Sequence, residues 1–248
     1  MTAFKDHFSS RSEGYALYRP TYPDALYEWL AARAPARQTA WDCGTGNGQA
    51  ARGLSLHFAR VIATDGSVAQ LAQAAARDNV EYRAATAEES GLDAASVDLV
   101  TVAQALHWFD RPRFFTEARR VARVGAILAI WMYNRAAIDR EVDEIVLRFY
   151  TETVGPYWPD DRVLIDSEYR TIELPFPEIA VPNFAMEAEW TLQRFLGYLR
   201  TWSAVTRYVQ DKGHDPVALV EADLERAWGG RAAPRRIHWP LIVRAAQL

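Results

Sequence analysis

The chain has 248 residues, 50% of them hydrophobic, which is enough for one substantial core, and its formal net charge is −4. That mild acidity gives no support to a non-specific binder of nucleic acid or of a membrane surface. The single cysteine, Cys43, excludes an intrachain disulfide and a cysteine-only zinc site. The first residues, MTAFKDHFSSRSEGY, hold no apolar core of signal-peptide length, and no apolar run approaches membrane-spanning length. A cytoplasmic protein is the expectation. Nine Trp, eleven Tyr and ten Phe promise a large aromatic core, with a minority walling a small-molecule pocket.

In chain order, QTAWDC reads as a strand that runs into Gly44, Gly46 and Gly48. AARGLSLHF follows as a helix with Ala51, Leu54 and Phe58 on one face. RVIATD is a second strand ending in an acid, and SVAQLAQAAARD is Ala-rich and helical, with Ser67 as its cap. VEYRA and SVDLVTVAQ are strands three and four. RPRFFTEARRVAR is a helix presenting Phe114, Ala118 and Val121, with Asp110 and Pro112 at its start. GAILAIWMY is a fifth strand. Near-continuous apolar strands alternating with helices predict a doubly wound, mostly parallel α/β sheet covered on both faces.

Beyond Asn134 the rhythm changes. IDREVDEIVLRFY is an amphipathic helix with Ile138, Val142, Ile145 and Phe149 in register. Residues 155–182 hold five prolines and read as irregular. VPNFAMEAEW reads as a strand. Thr191 is placed to cap a helix through LQRFLGYLRTWSAVTRYV, with Trp190 and Phe195 as a staple. DPVALVEADLERAW is a further helix, and RRIHWPLIVRAAQL a closing β-rich segment. The expected organisation is a single domain over 1–248. Residues 1–134 form its ligand-binding part, 135–182 a partly helical cap insertion, and 183–248 the closing strands and helices.

Three glycines at the first strand-to-helix turn imply a backbone that bends sharply and touches a ligand. The pattern from Asp42 to Gly48 is D-x-G-x-G-x-G. The dinucleotide fingerprint G-x-G-x-x-G fails because Gln49 holds its last position. Asp65, ending the second strand, is placed to accept both hydroxyls of a ribose.

With WDCGTGNG, VIATDGS, TAEES and SVDLVTVAQALHWFD in these positions, residues 1–134 resemble the class I S-adenosylmethionine-dependent methyltransferases, a Rossmann-like family. FSSRSEGYALYRPTYP, AQALHWFD and GYLRTWSAV are further similar to the subgroup of trans-aconitate methyltransferases. The resemblance implies S-adenosylmethionine as cofactor. It implies that Gly44, Gly46 and Gly48 lie against the methionine part, and that Asp42 orients its amino group. Asp65 would hold the ribose, with Gly66 and Ser67 beside it. Thr86, Ala87 and Glu88 would meet the adenine, with Thr86 standing where many relatives have an acid. Gln104 would offer its backbone. Tyr15, Tyr18 and Arg19 would fold over the cofactor, Arg19 either pairing with its carboxylate or standing in solvent.

A sulfonium methyl needs alignment and exclusion of water, and a base only if the acceptor carries a proton. His107, after strand four, is the candidate base. The alternatives are that it orients a loop or bonds the cofactor carboxylate. Trp108, Trp131, Tyr133, Trp158, Tyr169, Tyr198 and Trp202 are candidates for the acceptor pocket, as is Tyr157. His57, His7, His214 and His238 lack metal spacing, so no metal is expected. G-x-S-x-G is absent, and Cys43 reads as a packing residue. The resulting expectation is methyl transfer to a small-molecule acceptor, at a carboxylate or hydroxyl oxygen. No nucleic-acid or membrane partner is expected, and the oligomeric state is not legible. Two other classes compete: an NAD-dependent oxidoreductase, and a binder of S-adenosylmethionine that methylates nothing.

Overall fold

A computed structural model describes residues 18–248. Tyr15 lies outside them. Helix α1 (Asp24–Arg33), which no motif flagged, precedes β1 (Thr39–Cys43) and α2 (Gln49–Leu54). Then come β2 (Arg60–Asp65), α3 (Val68–Leu71), β3 (Val80–Ala84) and β4 (Val97–Ala103). Helix α4 (Arg111–Val121) leads into β5 (Ala122–Tyr133). After these follow α5 (Arg140–Arg148), α6 (Arg162–Asp166), β6 (Glu178–Ile179), β7 (Phe184–Trp190), α7 (Leu192–Arg200), α8 (Ser203–Lys212), α9 (Glu221–Trp228) and β8 (Arg235–Gln247).

The strands form one sheet in the order β3-β2-β1-β4-β5-β8-β6, with β7 also on β8. β1 to β5 are parallel; β8 runs antiparallel to β5, from Leu241 opposite Tyr133 to Gln247 opposite Ile127. Pro240, which has no N–H to give, lies just before the β5 pairing begins. Alternation along β5 sends Ile127, Ala129 and Trp131 into one buried layer and Leu128, Ile130 and Met132 into the other. The order reverses between β1 and β4, which opens a crevice at their carboxyl ends. This is the mostly parallel, doubly wound α/β sheet that the sequence predicts.

Three helices depart from expectation. The Ala-rich stretch from Ser67 to Asp78 is helical only over Val68–Leu71, capped by Ser67, and none of those four residues is buried. Residues 72–78 are mostly exposed, and propensity without a packed face does not sustain a helix. The long helix expected over 192–209 is two helices, broken at Trp202, whose ψ of 136° is extended. Trp202 leaves the helix to pack against Tyr150, Trp158 and Tyr198, with ring centroids 5.7–5.9 Å away. Thr191 stands at the first of these two helices, but its hydroxyl makes no capping bond. DPVALVEADLERAW begins as a 3-10 turn over Pro216–Leu219 before α9. The proline-rich stretch, read as irregular, contains α6 and β6.

Among the described residues no helix is long and apolar enough to cross a membrane, and no cluster of candidate metal ligands occurs.

Candidate active site

The glycine turn leaves β1 with all three glycines in the left-handed region, at φ +68°, +57° and +79° for Gly44, Gly46 and Gly48. Two of them are also hemmed in. A Cβ on Gly44 would sit 2.6 Å from the Ala105 Cβ, and one on Gly48 would strike the Tyr82 ring and hydroxyl. Gly46 differs: the nearest heavy atom to its Cβ position is Gln70 Oε1, at 3.9 Å. Its face is open, with room for a ligand to lie against the backbone.

Carboxylates brace this turn from both sides. Asp42 is fully buried beneath it and accepts hydrogen bonds from Thr45 Oγ1 (2.5 Å) and Thr101 Oγ1 (2.8 Å). Burial pushes its pKa up to about 6, against the pull of those hydroxyls. Asp65, half-buried at the end of β2, accepts from the amides of Gly46 and Ser67, each at 2.8 Å. Gly66 is half-buried beside it, and Ser67 is buried at the cap.

Past β3, Thr86 is exposed and bridged to Glu89, Ala87 is buried, and Glu88 accepts from the Asp110 amide at 2.9 Å. Gln104, just after β4, holds a left-handed φ of +58° without being glycine. Its amide donates to the Trp131 carbonyl and its side chain to the Tyr133 carbonyl, each at 2.9 Å. Over-determined strain of this kind marks a site where the backbone must point one way.

Beyond Gln104 a cleft opens, lined by Arg19, Gln104, His107, Trp108, Tyr133, Asn134, Arg135, Trp158, Arg162, Tyr198 and Trp202 among others. Its described lining carries three arginines and no carboxylate. Arg19 donates to the Tyr133 hydroxyl at 3.0 Å and sits over the Tyr198 ring. Arg162, on α6, lies 4.3 Å from the centroid of Trp158. It donates to the Tyr150 hydroxyl (2.6 Å) and the Asn134 side chain (2.8 Å). Asp166 lies 3.5 Å from it, outside the cleft lining. His107 is buried, with Nδ1 2.7 Å from the Tyr169 hydroxyl. Burial, helped by the nearby Arg162 and Arg111, lowers its pKa to about 3.

Most of the sequence-derived site residues gather in two places. The turn, Asp65 and Ser67 gather at the carboxyl ends of β1 and β2. Trp108, Tyr133, Trp158, Tyr198 and Trp202 line the cleft with His107, and Tyr169 stands behind His107. Trp131 does not reach the cleft. It lies two residues deeper along β5 than Tyr133, fully buried, with the Tyr22 ring 5.5 Å away. Arg162, Arg135 and Asn134 went unnoticed in the sequence. Arg162 sits in the proline-rich stretch, where periodicity carries no signal, and only the neighbouring YWPDDR, aromatic next to cation, hints at it.

The glycine turn and the acid ending β2 thus lie at the carboxyl end of the sheet, with the cleft opening beyond β4. The family model described as a methyltransferase domain matches residues 41–130. A Dictyostelium discoideum protein described as a methyltransferase is 36% identical over 231 residues, covering 92% of this chain and 88% of its own length. A Saccharomyces cerevisiae protein, described as a probable S-adenosylmethionine-dependent methyltransferase, is 25% identical and covers 83% of each chain. A solved structure from Anaeromyxobacter dehalogenans, described as a type II methyltransferase, superimposes with a TM-score of 0.87. It is 47% identical and covers 92% of this chain and 97% of that one. The chain therefore belongs to the class I S-adenosylmethionine-dependent methyltransferases, and S-adenosylmethionine is its cofactor. Neither the oxidoreductase nor the non-catalytic binder is favoured by these matches.

Proposed function

We propose that this enzyme methylates a carboxylate oxygen of a small, partly apolar acid. The observation that carries the reading is the charge of the cleft: Arg19, Arg135 and Arg162 among aromatic walls, without an opposing acid in the described lining. Three arginines in one lining, beside Trp158, Tyr198 and Trp202, suit an anion with an apolar body.

For the cofactor half, the open face of Gly46 receives the methionine portion and Asp65 accepts the ribose hydroxyls. Ala87 and Glu88 border the adenine, and Gln104 offers backbone at the end of β4. Asp42 acts from beneath, by fixing the turn through Thr45 and Thr101. When bound, S-adenosylmethionine supplies a methyl on a sulfonium, so transfer to a carboxylate forms a C–O bond, breaks a C–S bond and moves no proton. The chain's own work is to hold the acid by its arginines, to align it and to exclude water. Residues 135–182 serve as a cap, since Trp158 and Arg162 on that segment face Gln104 and His107 across the cleft.

The test is a screen with methyl-labelled S-adenosylmethionine against paired acids and alcohols, for example phenylacetate and phenylethanol. Base-labile labelled esters from the acids support the reading. Label on the alcohols or on amines alone overturns it.

A further inference from the structure

The His107–Tyr169 contact fixes more than a position. Tyr169 is 2% exposed, and its hydroxyl lies 2.7 Å from His107 Nδ1. A phenol donates its proton far more readily than it accepts one, and a bare imidazole nitrogen is the stronger acceptor of the two, so the tyrosine proton goes to the acceptor it faces. That acceptor is Nδ1, so the ring proton resides on Nε2, the nitrogen left to the cleft that His107 lines.

The chain invests structure in this contact. Glu168 and Tyr169 are consecutive non-glycine residues at φ +55° and +56°, in the left-handed region. The loop is tied down from β8, where Arg244 Nη1 donates to the carbonyls of Tyr169 (2.8 Å) and Ile172 (2.6 Å). Its other terminal nitrogen pairs with Glu178 at 2.6 Å.

We propose that Tyr169 is a positioning residue that locks His107 as an Nε2–H donor, so that His107 binds the acceptor's carboxylate with Arg162 and does not act as a general base. The proposal rests on the carboxylate reading above. The charged and titratable groups facing His107 agree with it. Burial, then Arg162 from α6 and Arg111 from α4, disfavours an imidazolium, the cleft that His107 lines also holds Arg19 and Arg135, and the Tyr169 phenol is held protonated by burial. A neutral donor beside cations suits an anionic ligand. A base there would have little proton affinity, with its pKa lowered to about 3.

Nitrogen-15 NMR of the full chain labelled at histidine decides the matter. His107 is assigned by the signal lost in His107→Gln. The expected spectrum has Nε2 protonated and Nδ1 bare, unchanged from pH 6 to pH 8. In Tyr169→Phe, which keeps the buried ring, it becomes a mixture of tautomers. With S-adenosylhomocysteine present, millimolar benzoate or phenylacetate shifts the Nε2–H proton, and benzyl alcohol does not. An Nδ1–H tautomer in the wild type, or a signal indifferent to every acid, overturns the proposal. If Tyr169→Phe fails to fold, the wild-type spectrum still decides. Failure of the broader reading looks different: Nε2 is protonated, while titrated S-adenosylhomocysteine does not bind or label never enters an acid.

Discussion

Replacing Gly44 by alanine puts a Cβ 2.6 Å from that of Ala105, on a backbone whose φ of +68° already disfavours a side chain. The expected cost is about 2 kcal/mol, read by urea unfolding. Asp42 offers a pH test at the same turn. Burial raises its pKa from 3.8 to about 6, so the folded state favours the protonated acid. Its contribution is present below the unfolded value and is lost as pH rises through 6. Relative to Asp42→Asn, the wild type should therefore lose about 3 kcal/mol between pH 3.5 and pH 7. Parallel unfolding curves across that range would refute the assignment. Of these residues the glycines and Asp42 were legible in the sequence, because the turn they build is local. The collision partners Ala105 and Tyr82 were not, because they arrive from β4 and β3.

Between elements, Asp98 on β4 does for the lower end of the sheet what Asp42 does for the upper. It is fully buried and accepts from the amides of Gln38 and Thr39, each at 2.9 Å, and pairs with Arg123 at 2.8 Å. It thus ties the entry of β1 to the start of β5. Asp98→Ala leaves two backbone donors and a guanidinium without their acceptor. A loss of about 3 kcal/mol in denaturant unfolding is expected. A change within 0.5 kcal/mol, about what a neutral surface substitution gives, would show that water replaces the carboxylate. The strands were readable because each is a compact apolar run. The helices were readable where one face is buried, as with Phe114, Ala118 and Val121 on α4. They were misread where burial overrules propensity. Residues 72–78 lack a surface to pack on, and Trp202 leaves a helix to enter an aromatic cluster.

For the molecule as a whole, ligand binding and stability are linked. A ligand at one hundred times its dissociation constant adds about 2.7 kcal/mol to the folded state. For a chain of this size that is a rise in Tm of roughly 5–10 °C. S-adenosylhomocysteine should produce this shift in the wild type and none in Gly46→Arg, whose side chain fills the open face of the turn. Differential scanning fluorimetry reads both. An equal rise in the variant would place the ligand elsewhere.

The sequence by itself determined the doubly wound sheet and the glycine turn with its flanking acids. Strand, glycine turn, helix and acid follow one another within some twenty-five residues, and their spacing alone carries the geometry. Only the tertiary structure decided the lining of the cleft beyond β4. His107 meets Tyr169 across 62 positions and Arg19 meets Tyr133 across 114. Such pairs leave no periodic trace in the chain. They exist because β5 and α6 end at the same cleft, where Arg162 is held among aromatic rings, and because the left-handed turn at Glu168 and Tyr169 delivers a buried hydroxyl to an imidazole.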